Sequence, residues 1–594
     1  MFVRSRATGP TTNFGSVGDD VTDQCRKLSR IGLRRRLNCS VGMARRRTVR
    51  MIRCRLLAEV GAGGRLIGVR ATVLRGACVR TMNTLLPEAE AVAFRGGQIT
   101  SVGRTDDVLS EAGEGAEVID LSREFILPGF HDSHLHLMQH GLELRQIDLN
   151  NVPDMEAALD AVQRSSEGLP GGAWIQGSGF SLTRWGVTDL SRLDLDEAAP
   201  RNPVLLRSQD HHSAWVNTAA LKRAGVLEHM PDPLNGRFLR DRAGRATGLI
   251  LERALDLVEQ VLPSLSVSEL VEVAQVAGRD LARHGITTVH QMAYEPATHW
   301  RALATAASDP AYPIRVWSCI PQQEIEMAAA IGIATGQGGD NFCIGGAKFF
   351  ADGALGSQTA WMLEPYAGTS NCGVVVDDPK VLAARYPLAL EVGLIPVTHA
   401  IGDAAGRAVL EALEATRELW WELDPQPRLE HAQHLHADDV ERLGALGLTA
   451  SVQPIHLTFD LAVIVALLPD RLDRAYATRS LKSAGALLAF GSDTPVARPD
   501  VVWGIRAAVE RRDSLGQVLT PQEALTPREA LEAYTVGAAR AIGRQDRSGQ
   551  IRPGYHADFT LFDADPLQPS ENLSVVGTIK GGRWTFRSGR ERGG

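Results

Sequence analysis

The feature that most constrains the fold is a series of eight short apolar runs that alternate with segments of helical periodicity. This alternation is typical of βα units, which build a parallel sheet. Eight such units predict an α/β chain with a closed (β/α)8 TIM barrel. The predicted strands are residues 130–136, 286–290, 314–318, 343–350, 394–399, 427–431, 448–452 and 487–491.

The spacing of these strands predicts where further structure is inserted. Strands three to eight follow one another at the intervals of single βα units, whereas residues 137–285 separate the first strand from the second. We therefore predict a barrel domain over residues 128–545 with an inserted subdomain after strand one, at about residues 141–265. Apolar runs at residues 174–177 and 204–207 support an ordered insertion.

Short β-like runs flank the barrel on both sides. They are residues 67–74, 91–94, 98–102, 558–562 and 575–579. Gly96-Gly97 and Gly581-Gly582 are placed as hairpin turns next to these runs. The pattern predicts one small β-sandwich domain built from both ends of the chain, residues 66–127 and 546–594.

The charge is divided unevenly along the chain. The net charge is −7, but residues 1–55 carry 14 Lys and Arg against 3 Asp, so the rest of the chain is strongly acidic. We predict a basic, disordered leader at residues 1–65, or translated upstream sequence before a start at Met43 or Met51. A nucleic-acid arm, a membrane-surface arm and a transit peptide are the alternatives. The acidic body gives no case for nucleic acid as a partner.

The composition excludes several other classes. Hydrophobic residues make up 44% of the chain, yet no run reaches the 18 apolar residues typical of a membrane span. The N-terminus has no apolar core of a secretory signal. The seven cysteines form no CxxC motif, which fits unpaired thiols in a reducing compartment. We expect a cytoplasmic protein with a small-molecule substrate and no membrane partner; the sequence carries no signal of oligomeric state.

Metal-binding residue types lie at the ends of the predicted strands. His134 and His136 are two residues apart on strand one, so their side chains point to the same side. Further candidates lie at or after the ends of strands four, five, six and eight: Lys348, His399, His431 and Asp493. All strand ends meet at the C-terminal face of a barrel, where catalytic residues lie. Nitrogen and oxygen ligands of this kind predict zinc or a similar divalent cation.

Each of these residues, taken alone, has an alternative interpretation. His399 and His431 are candidates for hydrogen-bonded core histidines, Lys348 for a surface lysine, and Asp493 for the cap of the next helix. Their joint placement on the same end of five strands favours a metal site.

Seven motifs of the chain resemble those of one family. They are residues 128–137, 210–217, 346–357, 398–405, 428–433, 491–495 and 549–558. The set resembles the amidohydrolase superfamily, and within it amidohydrolase family 3, the YtcJ-like branch that includes N-substituted formamide deformylases. The resemblance spans about residues 67–585. His211 and Gln291 depart from the family pattern, which has glycine and often an acidic residue there, and both are candidates for the pocket.

The resemblance implies a metal-dependent hydrolase that acts on non-peptide carbon–nitrogen bonds. A carbamate formed from CO2 on Lys348 would bridge two cations, and zinc is the expected metal. Carbamate formation needs a neutral amine, and burial beside cations lowers a lysine pKa. One cation would be bound by His134, His136, Lys348 and Asp493, and the other by Lys348, His399 and His431.

The resemblance also implies roles in the reaction. Metal-activated hydroxide would attack a carbonyl carbon, and Asp493 would carry the proton to the leaving nitrogen. His212 would hold or polarise the substrate, with a structural role in the insertion equally open. Asp352 and Asp403 are expected to orient ligands. Trp185 and Trp215 are assigned to core packing, with pocket lining as the alternative.

Three other functions stay open at this point. The same site could hydrolyse an ester or a cyclic amide. The chain could be a metal-binding scaffold without catalysis. The basic leader could bind nucleic acid.

Overall fold

The computed structural model describes most of the chain after the predicted leader. The described residues are 70–589, except 122, 151, 188–189, 209–212, 227–229, 234–235, 293–295 and 514. The leader and the beginning of the first predicted β-run therefore lie outside the described residues. The described strands form three sheets, two of eight strands and one of six.

The first sheet combines strands from both sides of the barrel. With strands numbered in chain order, they are β1 (Thr72–Arg80), β2 (Glu88–Arg95), β3 (Gln98–Gly103), β4 (Glu117–Asp120), β5 (Phe125–Pro128), β20 (Phe559–Phe562), β21 (Val575–Lys580) and β22 (Arg583–Arg587). The order is β22-β21-β20-β5-β1-β2-β3, with β4 paired to β1. Antiparallel pairing of β5 with β20 joins the two chain segments. Gly96 and Gly97 have φ of 58° and 83°, the left-handed region that a tight hairpin needs.

The second sheet is the barrel, and all its neighbouring strands are parallel. Its strands are β6 (Phe130–Leu135), β13 (Ile286–Gln291), β14 (Arg315–Pro321), β15 (Phe342–Phe350), β16 (Pro396–Ala400), β17 (Arg428–His431), β18 (Thr449–Val452) and β19 (Leu487–Phe490). Each overlaps one predicted strand, so the predicted fold class is confirmed. The boundaries differ by one to three residues because propensity does not fix where pairing stops.

Hydrogen bonds just past the strand ends bring β19 to β6. The Asp493 amide donates to the His134 carbonyl at 2.7 Å, and the His136 amide donates to the Thr494 carbonyl at 2.9 Å. Gly491 permits this approach, because a Cβ there would lie 2.5 Å from the His134 nitrogen. The closure places the first and last candidate ligands side by side.

The third sheet lies in the insertion between β6 and β13. Its strands are β7 (Ile147–Asp148), β8 (Ile175–Phe180), β9 (Val204–Ser208), β10 (Ser213–Val216), β11 (Gly236–Arg240) and β12 (Ala246–Glu252), in the order β11-β12-β10-β9-β8-β7. Trp185 and Trp215 are buried in its apolar core. Their indole nitrogens donate to the carbonyls of Val152 and Ser191, each at 3.0 Å. The structure thus places both tryptophans in the core rather than along a pocket.

Helices connect the strands and cover the barrel. They are α1 (Thr105–Ala112), α2 (Leu137–Glu143), α3 (Met155–Glu167), α4 (Leu182–Trp185), α5 (Arg192–Ala198), α6 (Thr218–Arg223), α7 (Leu255–Glu259), α8 (Val267–Arg283), α9 (Ala297–Ser308), α10 (Ile325–Ile331), α11 (Pro379–Glu391), α12 (Asp403–Ala415), α13 (Arg417–Trp420), α14 (Ala437–Ala445), α15 (Leu457–Leu467), α16 (Thr478–Ala484), α17 (Val501–Glu510), α18 (Pro527–Glu532) and α19 (Ala538–Ala541).

The longest of these, α8, shows how the sequence sets a helix. Ser266 and Glu269 form a capping box at its start, and the apolar side chains recur on one buried face. No helix among the described residues combines the length and the apolar composition that crossing a membrane needs.

Candidate metal centre

His134 is held in one orientation at the end of β6. Its Nδ1 lies 2.6 Å from a carboxylate oxygen of Glu430, and both side chains are buried. The Nδ1–H therefore donates to Glu430, and the lone pair of Nε2 points away from it. Nε2 lies 3.6 Å from Oδ1 of Asp493. His134 thus presents the nitrogen that a cation would bind toward the candidate aspartate.

His431 approaches the same point from β17. Its Nδ1 lies 2.8 Å from the side-chain oxygen of Gln453, which leaves Nε2 for the interior of the site. One ligand atom each from His134, His431 and Asp493 lies within 4.8 Å of the other two. The His431 ring centroid is 4.6 Å from that of His134 and 4.4 Å from that of His399.

His136 and His399 complete the imidazole cluster. Nε2 of His136 lies 3.5 Å from Oδ1 of Asp493. Nε2 of His399 lies 3.0 Å from the Gly353 carbonyl and 3.5 Å from Asp352, so its Nδ1 is the nitrogen left for a cation. Burial is the largest cause that lowers the pKa of both imidazoles to about 3, and the Lys348 charge adds to it. Neutral imidazoles are the form that binds metals.

Asp493 occupies a strained position after β19. Its φ is 59°, a left-handed conformation that costs a residue with a side chain on the order of 1–3 kcal/mol. Asp132 supports the turn by accepting hydrogen bonds from the Ser492 amide at 3.0 Å and hydroxyl at 2.5 Å. Oδ1 of Asp493 is buried and has no hydrogen-bond partner among the described residues. Burial raises the pKa of Asp493 to about 8, against the opposing effect of Lys348.

Lys348 points into the cluster from β15. Its side chain is buried, and Nζ has no hydrogen-bond partner among the described residues. Burial lowers the pKa of Lys348, and the negative charge of Glu430 is the largest opposing influence. The Lys348 charge in turn lowers the pKa of all four clustered imidazoles.

The donor set fits a divalent cation. Buried polar atoms normally have partners, so the unpartnered Oδ1 of Asp493 and Nζ of Lys348 need an explanation. A cation would supply the partner for the carboxylate oxygen and for the inward imidazole nitrogens. A carbamate on Lys348 would turn its amine into an oxygen ligand suited to the same cation.

Several residues that organise this site had no role in the sequence analysis. Glu430 and Gln453 orient two histidines, Asp132 supports the turn, and Arg428 hydrogen-bonds to Glu430. A signal for two of them exists in the sequence. Arg428 and Glu430 are charged residues at alternate positions of one short buried strand, so both side chains point to the same side of it.

Other predicted residues lie elsewhere or outside the described residues. His211 and His212 belong to the residues that the structure does not describe. Asp352 accepts hydrogen bonds from the Ile401 and Gly402 amides beside His399. The prediction for Asp403 is wrong in its contacts, because its carboxylate binds the Leu363 amide and Arg474 rather than a candidate ligand. Gln291 accepts a hydrogen bond from the Leu137 amide and so caps α2.

Comparison with known proteins identifies the family. The sequence profile described as Amidohydrolase family matches residues 117–586, most of the chain. This chain belongs to the amidohydrolase family. It is therefore a hydrolase, and the predicted resemblance is confirmed.

Similar proteins occur in plants, bacteria and archaea. The chain is 33% identical to YtcJ of Bacillus subtilis (strain 168), with 83% of this chain and 94% of that protein covered. It is 32% identical to LONG AFTER FAR-RED 3 of Arabidopsis thaliana over 85% of this chain and 90% of that one. The N-substituted formamide deformylase of Arthrobacter pascens is 28% identical, with coverage of 84% and 94%.

A solved structure supports the same assignment. An uncharacterized metal-dependent hydrolase from Pyrococcus furiosus aligns with a TM-score of 0.71 and 27% identity. The alignment covers 84% of this chain and all of that one. The likeness extends over the complete length of a metal-dependent hydrolase and is not limited to the metal-binding motifs.

Proposed function

We propose that this amidohydrolase cleaves a non-peptide, amide-type carbon–nitrogen bond with the help of bound divalent metal. The observation that carries the proposal is the buried cluster at the C-terminal mouth of the barrel. His134, His431 and Asp493 bring ligand atoms within 4.8 Å of one another, and the buried amine of Lys348 has no hydrogen-bond partner among the described residues. Groups of this kind are costly to bury unless they bind something.

The resemblance to the family supplies the ligand assignment, and the clustering of the same side chains supports it. We assign one cation to His134, His136, Lys348 and Asp493, and a second to Lys348, His399 and His431. Zinc suits a set of imidazoles and carboxylates. Lys348 would act as a carbamate, and its burial supports this because a lowered pKa leaves more of the neutral amine that CO2 attacks.

The bound metal would supply Lewis acidity, lowering the pKa of water to about 7 and polarising a carbonyl group. Asp493 is placed to accept a proton at Oδ1, since that atom faces His134 and His136 and has no hydrogen-bond partner among the described residues. A carboxylate that accepts a proton at this position could then release it to a leaving nitrogen. His212 stays a candidate for holding the substrate.

The amide preference rests on the family and on one relative. The Arthrobacter pascens relative, 28% identical, is named for the deformylation of N-substituted formamides, which breaks a carbon–nitrogen bond. The same site geometry would also permit attack on an ester or a cyclic amide, because all three substrates present a carbonyl carbon.

A matched substrate panel tests the proposal. Purified protein would be analysed for metal by mass spectrometry and assayed with N-formyl amines, N-acyl amines, the corresponding esters and cyclic amides. We expect bound divalent metal and turnover of acyclic amides above that of the other classes. Exclusive ester or cyclic-amide turnover would replace the proposed bond, and metal-free protein without any turnover would reject the function.

A further inference from the structure

A chain of hydrogen bonds runs through the barrel interior and ends at the candidate ligand His134. In order, its side chains are Ser548, His131, His290, Arg428, Glu430 and His134. The distances between hydrogen-bonding atoms of successive side chains are 2.8 Å, 3.4 Å, 2.9 Å, 2.8 Å and 2.6 Å. All except Ser548 are buried. We call this set the internal chain.

The internal chain spans the barrel from one end to the other. His131 and Ser548 line a cavity together with Arg315 and Cys343, which lie at the N-terminal ends of β14 and β15. His134 lies at the C-terminal end of β6. The internal chain therefore connects the segment that returns to the first sheet with the candidate metal centre.

From Arg428 to Ser548, each hydrogen bond of the internal chain must be donated toward Ser548. Arg428 has donors and no acceptor, so Nδ1 of His290 must accept its hydrogen bond. Nε2–H of His290 then donates to Nδ1 of His131, whose own Nε2–H donates to Ser548. Burial lowers the pKa of His131 to about 3 and that of His290 well below its ordinary value, so both rings are neutral. Each imidazole is thus fixed in a single tautomer.

Arg428 donates hydrogen bonds to both carboxylate oxygens of Glu430. Its Nε and Nη2 donate to the two carboxylate oxygens at 2.8 Å and 3.2 Å, while Nη2 also donates to the Ser133 carbonyl at 2.7 Å. The guanidinium lies over the Trp317 ring, 5.3 Å from its centroid. This fork fixes both the position and the plane of the carboxylate. The oxygen that accepts from His134 is one of the two that the fork holds.

We infer that Arg428 and His290 are positioning residues for the metal centre. They hold Glu430 where it accepts from Nδ1 of His134, so that Nε2 of His134 stays aimed at the cation. The inference rests on the metal centre proposed above. Removing the partner that orients a metal-binding histidine typically weakens metal affinity by about 10–100-fold. We expect the internal chain to affect metal affinity although neither positioning residue touches the metal.

The first test replaces Arg428 by Met, which has similar length and no donors. Metal affinity is measured by chelator competition with Zn²⁺, and the ligand geometry by the visible absorption of the Co²⁺-substituted protein. We expect about 10–100-fold weaker Zn²⁺ binding and an altered Co²⁺ spectrum. Arg511→Met is the matched control, because Arg511 is also buried but donates to the carbonyls of Leu519 and Tyr476. The control should lose stability and keep its metal affinity.

Two variants of His290 test the positioning role even if Arg428→Met does not fold. His290→Phe removes the acceptor for Arg428 and fills the same space, whereas His290→Gln keeps an acceptor and a donor. We expect His290→Phe to weaken Zn²⁺ binding several-fold and His290→Gln to stay near the wild type. Wild-type metal affinity in folded Arg428→Met, or in His290→Phe when only that variant folds, would overturn the inference. Failure of the wild-type protein itself to bind divalent metal would instead remove the proposed metal centre.

Discussion

The middle and the C-terminal mouth of the barrel both contain buried polar groups, but these groups differ in their hydrogen bonding. In the middle, Arg428 donates hydrogen bonds to Glu430, His290 and the Ser133 carbonyl. At the mouth, Nζ of Lys348 and Oδ1 of Asp493 have no hydrogen-bond partner among the described residues. The backbone differs as well, because His431 and Asp493 have φ of 70° and 59°.

We interpret the hydrogen-bonded groups in the middle as groups that stabilise the fold. We interpret the groups without hydrogen-bond partners at the mouth as groups that bind a ligand. A buried ion pair with complete hydrogen bonding is costly to break, since one partner is left as an unpaired charge. Unpartnered buried groups and strained backbone lower stability and persist where a bound ligand supplies the missing contacts. The two regions should therefore respond in opposite ways to the loss of one charge.

The largest expected effect is on turnover at the mouth. Asp493→Asn keeps a side chain that tolerates left-handed φ but removes the proton acceptor, and Lys348→Ala removes the shared ligand. We expect kcat to fall by about 10²–10⁴-fold in Asp493→Asn, and Lys348→Ala to lose turnover, while both stay folded. Lys580→Met is the control, since this buried lysine donates to the Tyr312 carbonyl far from the reaction. Full activity in either mouth variant would reject the site.

The next effect is on stability in the middle. Glu430→Gln leaves Arg428 buried without its counter-ion, and we expect a loss of about 3–5 kcal/mol in the free energy of unfolding measured in urea. Lys348→Met at the mouth removes a buried amine that has no hydrogen-bond partner among the described residues, so its metal-free form should be as stable as the wild type or more stable. Equal losses in both variants would break the contrast between the two regions.

Removing the metal should remove only the contacts that the cation makes at the mouth. A chelator that strips the cation should abolish activity, and adding Zn²⁺ at about 100 times its Kd should restore about 2.7 kcal/mol of stability. Thermal unfolding of the chelated and reconstituted protein measures this. The Asp493→Asn variant should gain less, because it has lost one anionic ligand. A gain as large as that of the wild type would place the cation elsewhere.

The smallest expected effect is the pH dependence of stability that comes from a second buried ion pair, Arg315 and Asp558. Arg315 forms hydrogen bonds with both oxygens of Asp558, and although burial opposes it, this pairing holds the pKa of Asp558 at about 2. A lowered folded-state pKa adds stability above the unfolded value of 3.8, and this stability is lost as pH falls toward 2. We expect a loss of about 2 kcal/mol across that window, which Asp558→Asn removes. Identical acid-unfolding profiles of both proteins would contradict the pairing.

The sequence predicted the barrel well because its signals are local. Period, length and turn residues mark each strand, and barrel topology then carries separate strand ends to one mouth. That topology is the reason why His134, His399, His431, Lys348 and Asp493 were expected at one mouth. The strand boundaries moved slightly, as in β16, which begins at Pro396 rather than at residue 394.

The remaining features depend on contacts between distant residues. Glu430 orients His134 and Gln453 orients His431, and such pairs require the packed arrangement of strands. From the sequence, Asp403 was expected to orient a ligand, yet its carboxylate binds Arg474. A carboxylate next to a histidine motif has the same local signal whether it faces the ligand or an arginine.

Anomalous diffraction from crystals of Zn²⁺-loaded protein would locate the cations of the proposed metal centre. We predict a peak at the barrel mouth within about 2.0–2.2 Å of Nε2 of His134 and His136 and of an oxygen of Asp493. A second peak would lie beside His399, with density for a carbamate on Lys348 between the two. A zinc peak outside this cluster, or metal-free crystals grown from active enzyme, would contradict the account.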